Sequence, residues 1–268
     1  MTGSKPVGAL ILMLVMFDQR ARGGRAAAPQ RSPGAASISC LCGERCLRAC
    51  PGSSDHCVVT DPPDAAAVLA DEWDERYTSL ADRIPDVEPN AVLITEAGAL
   101  RPGRALDIGC GVGAEAIWLA THGWNVMALD VSRVALEHAA HRARQAGVDV
   151  QWVQARLEDA PVAACGFDLV TAFYPALRHS DAREGQQALV SAVAAHGILL
   201  VVHHADVDAE RAKAHGFDPA DYLSHDDIVE LLSDGWDVRI HRRRPREVPA
   251  GPEGQHTHDD VVVARRQR

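Results

Sequence analysis

Lysine is nearly missing from this chain of 268 residues: Lys5 and Lys213 are the only two among 27 basic residues. Arginine supplies the rest, a bias that fits a GC-rich coding sequence and carries no structural message. Aromatic residues are scarce as well, at 4%. Long apolar runs are absent. The longest, VGALILMLVMF at residues 7–17, stops at eleven, whereas a bilayer-spanning helix needs about 20. That run has the size of a signal-peptide core, yet no clear small-residue cleavage site follows it, so neither a membrane anchor nor export is expected. Paired C-x2-C spacing is missing too. Five of the seven cysteines, Cys40, Cys42, Cys46, Cys50 and Cys57, crowd beside His56 with gaps of one, three, three and six residues. Zinc sites and ferredoxin clusters use other spacings, and only Cys46–Pro51 matches the tail of the ferredoxin run, so no metal is expected.

What is present divides the chain. Residues 1–60 carry a net charge of +4 and residues 61–268 one of −14. So acidic a body repels a phosphate backbone, which argues against a nucleic-acid partner. Residues 1–60 read as an N-terminal extension, either unstructured or outside the natural protein if translation starts at Val58 or Val59. Residues 61–268 read as one folded domain, cytoplasmic, with Cys110 and Cys165 as reduced thiols.

Within that domain the hydrophobic period switches between that of a helix and that of a strand. Leu93, Ala97 and Leu100 share a helical face over 91–100, which Pro102-Gly103 ends. Buried strands are predicted at 105–108, 124–130, 148–153, 167–173 and 197–203. Helices are expected at 114–122, closed by Gly123, and after the Ser132 cap up to Gly147, with Ala135, Ala139, Ala143 and Ala146 on one stripe. Others should cover 184–195 and 225–234. Alternation of this kind gives a Rossmann-like, doubly wound α/β fold whose mostly parallel seven-stranded sheet has helices on both faces. The last two strands, at 236–241 and 259–264, have no helix between them and should pair antiparallel at one edge.

In such a sheet the ligand sits at the carboxyl ends of the strands, where strand order reverses. The stretch GRALDIGCGVGAE at 103–115 occupies that place, with Asp107 ahead of Gly109, Gly111 and Gly113. Glycines let a ligand approach the backbone, and the following helix offers its N-terminal N–H groups. Asp130 ends the second strand, where a carboxylate can accept both ribose hydroxyls. Gly109, Gly111 and Ala114 also satisfy the dinucleotide fingerprint, so an NAD(P)-dependent oxidoreductase is an alternative. Asp107 distinguishes the two, because an anion there opposes a pyrophosphate and suits a cationic amino-acid group.

DIGCGVG followed by ALD resembles motifs I and II of the class I S-adenosylmethionine-dependent methyltransferases. The resemblance covers residues 70–268. It implies that Asp107, Gly109, Cys110, Gly111 and Gly113 hold the methionine part of S-adenosylmethionine, that Asp130 holds the ribose and that Val131 lies against the adenine. WDERY at 73–77 and EPN at 88–90 resemble the lead-in of the bacterial tellurite-resistance and thiopurine methyltransferases, which makes Trp73 and Tyr77 lid candidates; the alternative is an aromatic pair packing a helix. That family commonly has an acid for the adenine amino group where this chain has Arg156. A guanidinium cannot accept that hydrogen bond, so adenine must lean on Ala155 and Leu157, or on Glu158 or Asp159. This departure keeps open a non-catalytic S-adenosylmethionine-binding protein.

After the fourth strand stands FYPALRH, not the D/N-P-P-Y/F of nucleobase and amide methyltransferases; DPPD at 61–64 lies upstream and reads as a loop. A small-molecule acceptor is expected, on a monomer or homodimer, with no nucleic-acid or membrane partner. The cofactor supplies the reactive carbon and the protein aligns the nucleophile, so no base is obligatory. If one exists, Tyr174, His179, His203 and His204 are placed for it. HRRRPR at 241–246 reads as a solvated strand end, and His256, His258, Asp259 and Asp260 as an exposed loop.

Overall fold

A computed structural model describes residues 65–80, 88–214, 217–232, 234–246 and 257–268. The cysteine-rich segment and the apolar run at 7–17 lie outside the described residues. The chain opens with α1 (Ala65–Leu80) and α2 (Ala91–Ala97), continues through β1 (Arg104–Ile108), α3 (Ala114–Thr121), β2 (Asn125–Asp130), α4 (Arg133–Ala146), β3 (Gln151–Gln154) and β4 (Phe167–Phe173), then α5 (Glu184–Ala192) and β5 (Val193–His204). It closes with α6 (Ala209–Ala214), α7 (His225–Leu231), β6 (Trp236–Pro245) and β7 (His258–Arg266).

The seven strands form one sheet in the order β3-β2-β1-β4-β5-β7-β6. β3, β2, β1, β4 and β5 run parallel, and β7 pairs antiparallel with both β5 and β6. The expected antiparallel pair is therefore at the edge, with β6 outermost and β7 threaded inside it. Because side chains alternate across a strand, β5 serves two cores. Ile198, Leu200 and Val202 join Leu93, Ala116 and Leu119 on one face. Leu199 and Val201 join Leu189 and Ile228 on the other. Two-sided burial is why these strands read as continuous apolar runs.

Punctuation follows the predicted chemistry. Ser132 caps α4 by accepting from Ala135 N at 3.1 Å, and Gly147 ends it in the left-handed region (φ 70°). Three strand boundaries differ from expectation by three residues or more, and one of them is the far end of β6, which runs to Pro245 rather than 241. β3 starts at Gln151 rather than 148, because Val148 N is still bonded to Ala143 O in the cap of α4. β5 starts four residues early, at Val193, since Val193 already pairs with Phe167 before the register shift that precedes Leu169.

Candidate active site

The strand order reverses between β1 and β4, and there the glycine turn leaves β1. Its conformation explains the composition: Gly109, Gly111 and Gly113 all have positive φ (65°, 51° and 79°), a region that other L-residues enter at a cost. Space limits the turn as well. A Cβ on Gly113 would stand 2.8 Å from Trp152 Cη2, and one on Gly111 would stand 2.7 Å from Tyr77 Oη, whereas on Gly109 it would meet nothing within 4 Å.

Asp130 holds this turn in place. Its Oδ2 accepts from Gly111 N at 2.8 Å and its Oδ1 from Ser132 N at 2.8 Å. Burial raises the Asp130 carboxyl to about 6 against those bonds. Asp107 is deeper still, 2% exposed, with Oδ1 accepting from Thr171 Oγ1 at 2.8 Å and Oδ2 buried without a hydrogen-bond partner among the described residues. Burial first, then the charge of Glu115, pushes the Asp107 carboxyl well above the usual carboxylate range.

A pocket lies against the turn. Its walls include Ile108 and Gly109 from the end of β1, Leu129, Asp130 and Val131 from β2, Ala155, Arg156, Leu157 and Glu158 after β3, and Tyr174 to Arg178 after β4. Leu69, Trp73 and Tyr77 of α1 complete the lining. Of the eleven residues expected to hold a cofactor, Gly109, Asp130, Val131, Ala155, Leu157, Trp73 and Tyr77 thus line one pocket. Asp107, Cys110, Gly111 and Gly113 do not; they stand behind the wall. An anion at 107 therefore acts on a ligand from beneath the surface, and its raised pKa weakens the charge-exclusion argument made from sequence. The buried, unpartnered Oδ2 still suits a cationic ammonium group, which would favour the ionised acid.

Arg156 is drawn sideways, with Nε 2.6 Å from Asp159 Oδ2 and Nη1 3.3 Å from Glu158 Oε1. Arg156 itself stays on the pocket wall with Ala155, Leu157 and Glu158.

Comparison with known proteins supports one class. Residues 105–197 match a family model described as a methyltransferase domain. An uncharacterized methyltransferase of Bacillus subtilis, YcgJ, is 29% identical over 118 residues, 44% of this chain and 47% of that protein. The chain spans about half or less of the curated relatives it matches. Among solved structures, magnesium protoporphyrin IX methyltransferase (ChlM) of Synechocystis with bound S-adenosylhomocysteine aligns with a TM-score of 0.55 at 20% identity, over 76% of this chain and all of that one. TehB of Haemophilus influenzae aligns at 0.53 and 12%, over 73% and 67%. Both share the fold. Together the family match over the glycine turn and that fold assign S-adenosylmethionine as the cofactor of this domain.

The four candidate bases separate. His203 and His204 are neighbours on β5, so they point to opposite faces. His203 Nε2–H donates to Leu223 O, 3.2 Å away, and the ring lies edge-on to His225; burial lowers it to about 4. His179 is exposed, its Nε2 3.7 Å from Asp227 Oδ2. Neither belongs to the pocket wall. Tyr174 does, and His204 stacks on its ring with centroids 4.1 Å apart.

Sequence reasoning missed the partners of Tyr174. Its hydroxyl accepts from Asn90 Nδ2 at 2.7 Å and donates to Asp259 Oδ2 at 3.0 Å, with Arg246 over the ring. Asn90 also caps α2 through Val92 N, and its own N–H donates to Glu115 Oε1 at 3.0 Å. Asp259, expected in an exposed loop, is 2% exposed because β7 runs inside the sheet and carries it beside Tyr174. HRRRPR lies at the end of β6 with His241, Arg242 and Arg243 exposed, as expected of a solvated strand end, and its arginines form ion pairs. Arg242 pairs with Asp226, Arg243 with Asp206, Arg244 with Glu96 and Arg246 with Asp259. No group of three metal-ligating side chains occurs among the described residues.

Proposed function

We propose that the protein transfers a methyl group from S-adenosylmethionine to a small-molecule acceptor. The observation that carries this reading is the pocket at the carboxyl ends of β1, β2 and β4, walled by Gly109 and Asp130 and lined by Trp73 and Tyr77 of α1. When bound there, the cofactor supplies an electrophilic sulfonium methyl group. The residues of the chain bind, orient and exclude water. Asp130 spends one lone pair per oxygen on the turn, and a carboxylate has about four such sites, so it keeps two for ribose hydroxyls. Ala155, Val131 and Leu157 offer backbone and apolar surface to a base. Gly109 leaves open space for the amino-acid end, and Asp107 supplies the counter-charge from below.

Trp73 and Tyr77, both nearly fully buried, cover the reacting region, and this favours an acceptor small enough to share a lined pocket over a polymer. The lead-in that resembles tellurite-resistance and thiopurine methyltransferases supplies those two aromatics and Asn90. A cytoplasmic monomer or homodimer without nucleic-acid or membrane partners fits the acidic charge, and no helix among the described residues is long and apolar enough to cross a membrane.

The test is label transfer from methyl-tritiated S-adenosylmethionine to fractionated cell extract. Label in the low-molecular-weight fraction is the expected result. Label in RNA or protein alone would overturn the small-molecule reading.

A further inference from the structure

Beside the pocket, on the face of the sheet opposite His203, lies a polar cluster that cofactor binding does not use. It joins Asn90 ahead of α2, Tyr174 after β4, His204 at the end of β5, Arg246 after β6 and Asp259 near the start of β7. Three features set it apart from an ordinary satisfied network. First, Tyr174 is a bulky side chain held at φ 52°, a conformation that such residues keep only where their surroundings impose it. Its N–H donates to Val202 O at 2.7 Å and its ring stacks on His204, which together impose it. Second, the hydroxyl has one donated and one accepted bond, to Asp259 and from Asn90; a phenol oxygen has two acceptor sites, so one remains. Third, Asp259 is buried with Arg246 Nε 3.5 Å from its Oδ2 and His204 Nδ1 3.7 Å from its Oδ1, and Oδ1 has no hydrogen bond. The carboxylate thus keeps capacity for a proton inside a buried, partly neutralised setting.

We propose that Tyr174 receives the proton of the methyl acceptor and passes its own to Asp259, so that the acceptor is a protic nucleophile bearing an O–H, S–H or N–H bond. The proposal rests on the methyltransferase reading above. The bookkeeping closes. The acceptor's X–H bond yields its proton to the free lone pair of Tyr174 Oη while the Tyr174 O–H proton moves to Asp259 Oδ2. The acceptor's electron pair forms the X–C bond, and the breaking C–S bond leaves its pair on sulfur. The sulfonium charge and the carboxylate charge vanish together, and the phenol is regenerated. Asn90 fixes the phenol's rotation, and Arg246 and His204 are positioning residues. Burial raises Tyr174, and Arg246, Asp259 and Glu115 are the charged groups that act on it; a neutral phenol relay needs no phenolate at neutral pH.

The full chain is assayed with S-adenosylmethionine and four probe acceptors: phenol, thiophenol and aniline, which carry a proton, and pyridine, which does not. Binding of S-adenosylmethionine is measured by calorimetry for every variant. Expected is methylation of at least one proton-bearing probe, with kcat lowered about 100-fold in Tyr174→Phe, the scale of a lost proton-transfer group. A similar loss is expected in Asp259→Asn, with cofactor affinity within about threefold of wild type in both. Full turnover in both variants, methylation of pyridine alone, or bound cofactor with no proton-bearing probe methylated would overturn the proposal. Failure of the wild type to bind S-adenosylmethionine at all would sink the underlying methyltransferase reading, and the relay with it.

Discussion

Asp130 is asked to do two things with one carboxylate, and its pH behaviour should reveal both. Held at about 6 by burial in the ligand-free chain, it must be ionised to accept ribose hydroxyls with both oxygens. Affinity for S-adenosylmethionine should therefore be flat above pH 7 and fall as pH drops below about 6, and Asp130→Asn should remove that slope in calorimetric titrations. Asp130→Ala should weaken binding about 10- to 100-fold, the size of losing charge-assisted hydrogen bonds. His203 gives an opposite dependence on stability. Its folded pKa, about 4, lies below the ordinary 6.5, so the unfolded chain binds the proton first and stability is lost as pH falls from 6.5 to 4. Asp130 works the other way over much the same window, since its raised pKa favours folding as pH falls. The Tm difference between His203→Gln and wild type isolates the histidine: the variant should gain relative stability steadily from pH 6.5 to 4. Single positions were unevenly legible in the sequence. The glycines and Asp130 announce themselves because backbone geometry allows few alternatives. Asp259 and Asn90 do not, because nothing local says that residues 85 and 84 positions away meet at Tyr174.

Caps and stripes carried most of the secondary structure into view. Ser132 was legible as the start of α4, but its hydroxyl also donates to Asp74 Oδ1 at 2.6 Å, and Asp74 Oδ1 accepts from Val134 N at 3.1 Å. One contact thus caps α4 and fastens α1 over the pocket. Ser132→Ala should cost about 1 to 2 kcal/mol, a lost cap plus a lost partner, seen as a lower urea midpoint. It should also quicken proteolytic cleavage within α1 relative to β4. The spacing of four between Trp73 and Tyr77 in WDERY allows an aromatic pair packing a helix as well as a lid. In the structure that spacing puts Trp73 and Tyr77 on one helical face, packed with Val112 and Ala114. The early start of β5 was hidden for a different reason: Val193 and Ala194 follow directly on α5 without a glycine or proline to mark the change.

The sheet ties these parts together, and its centre should be its most sensitive region. Leu199 and Leu200 on β5 are fully buried on opposite faces, so Leu199→Ala and Leu200→Ala should each cost about 2 to 5 kcal/mol. They should lower Tm without changing which cofactor binds. The topology follows from alternation of strand and helix, whereas the insertion of β7 between β5 and β6 could not be read from sequence, because either order satisfies antiparallel pairing. That insertion matters, since it brings Asp259 beside Tyr174. The account depends above all on which nucleoside the glycine turn accepts. Calorimetry of the full chain with S-adenosylmethionine and, separately, with NAD tests it most directly. One S-adenosylmethionine per chain, lost in Asp130→Ala, with no heat from NAD is the predicted result. NAD bound in a manner that depends on Asp130, with S-adenosylmethionine silent, would contradict it.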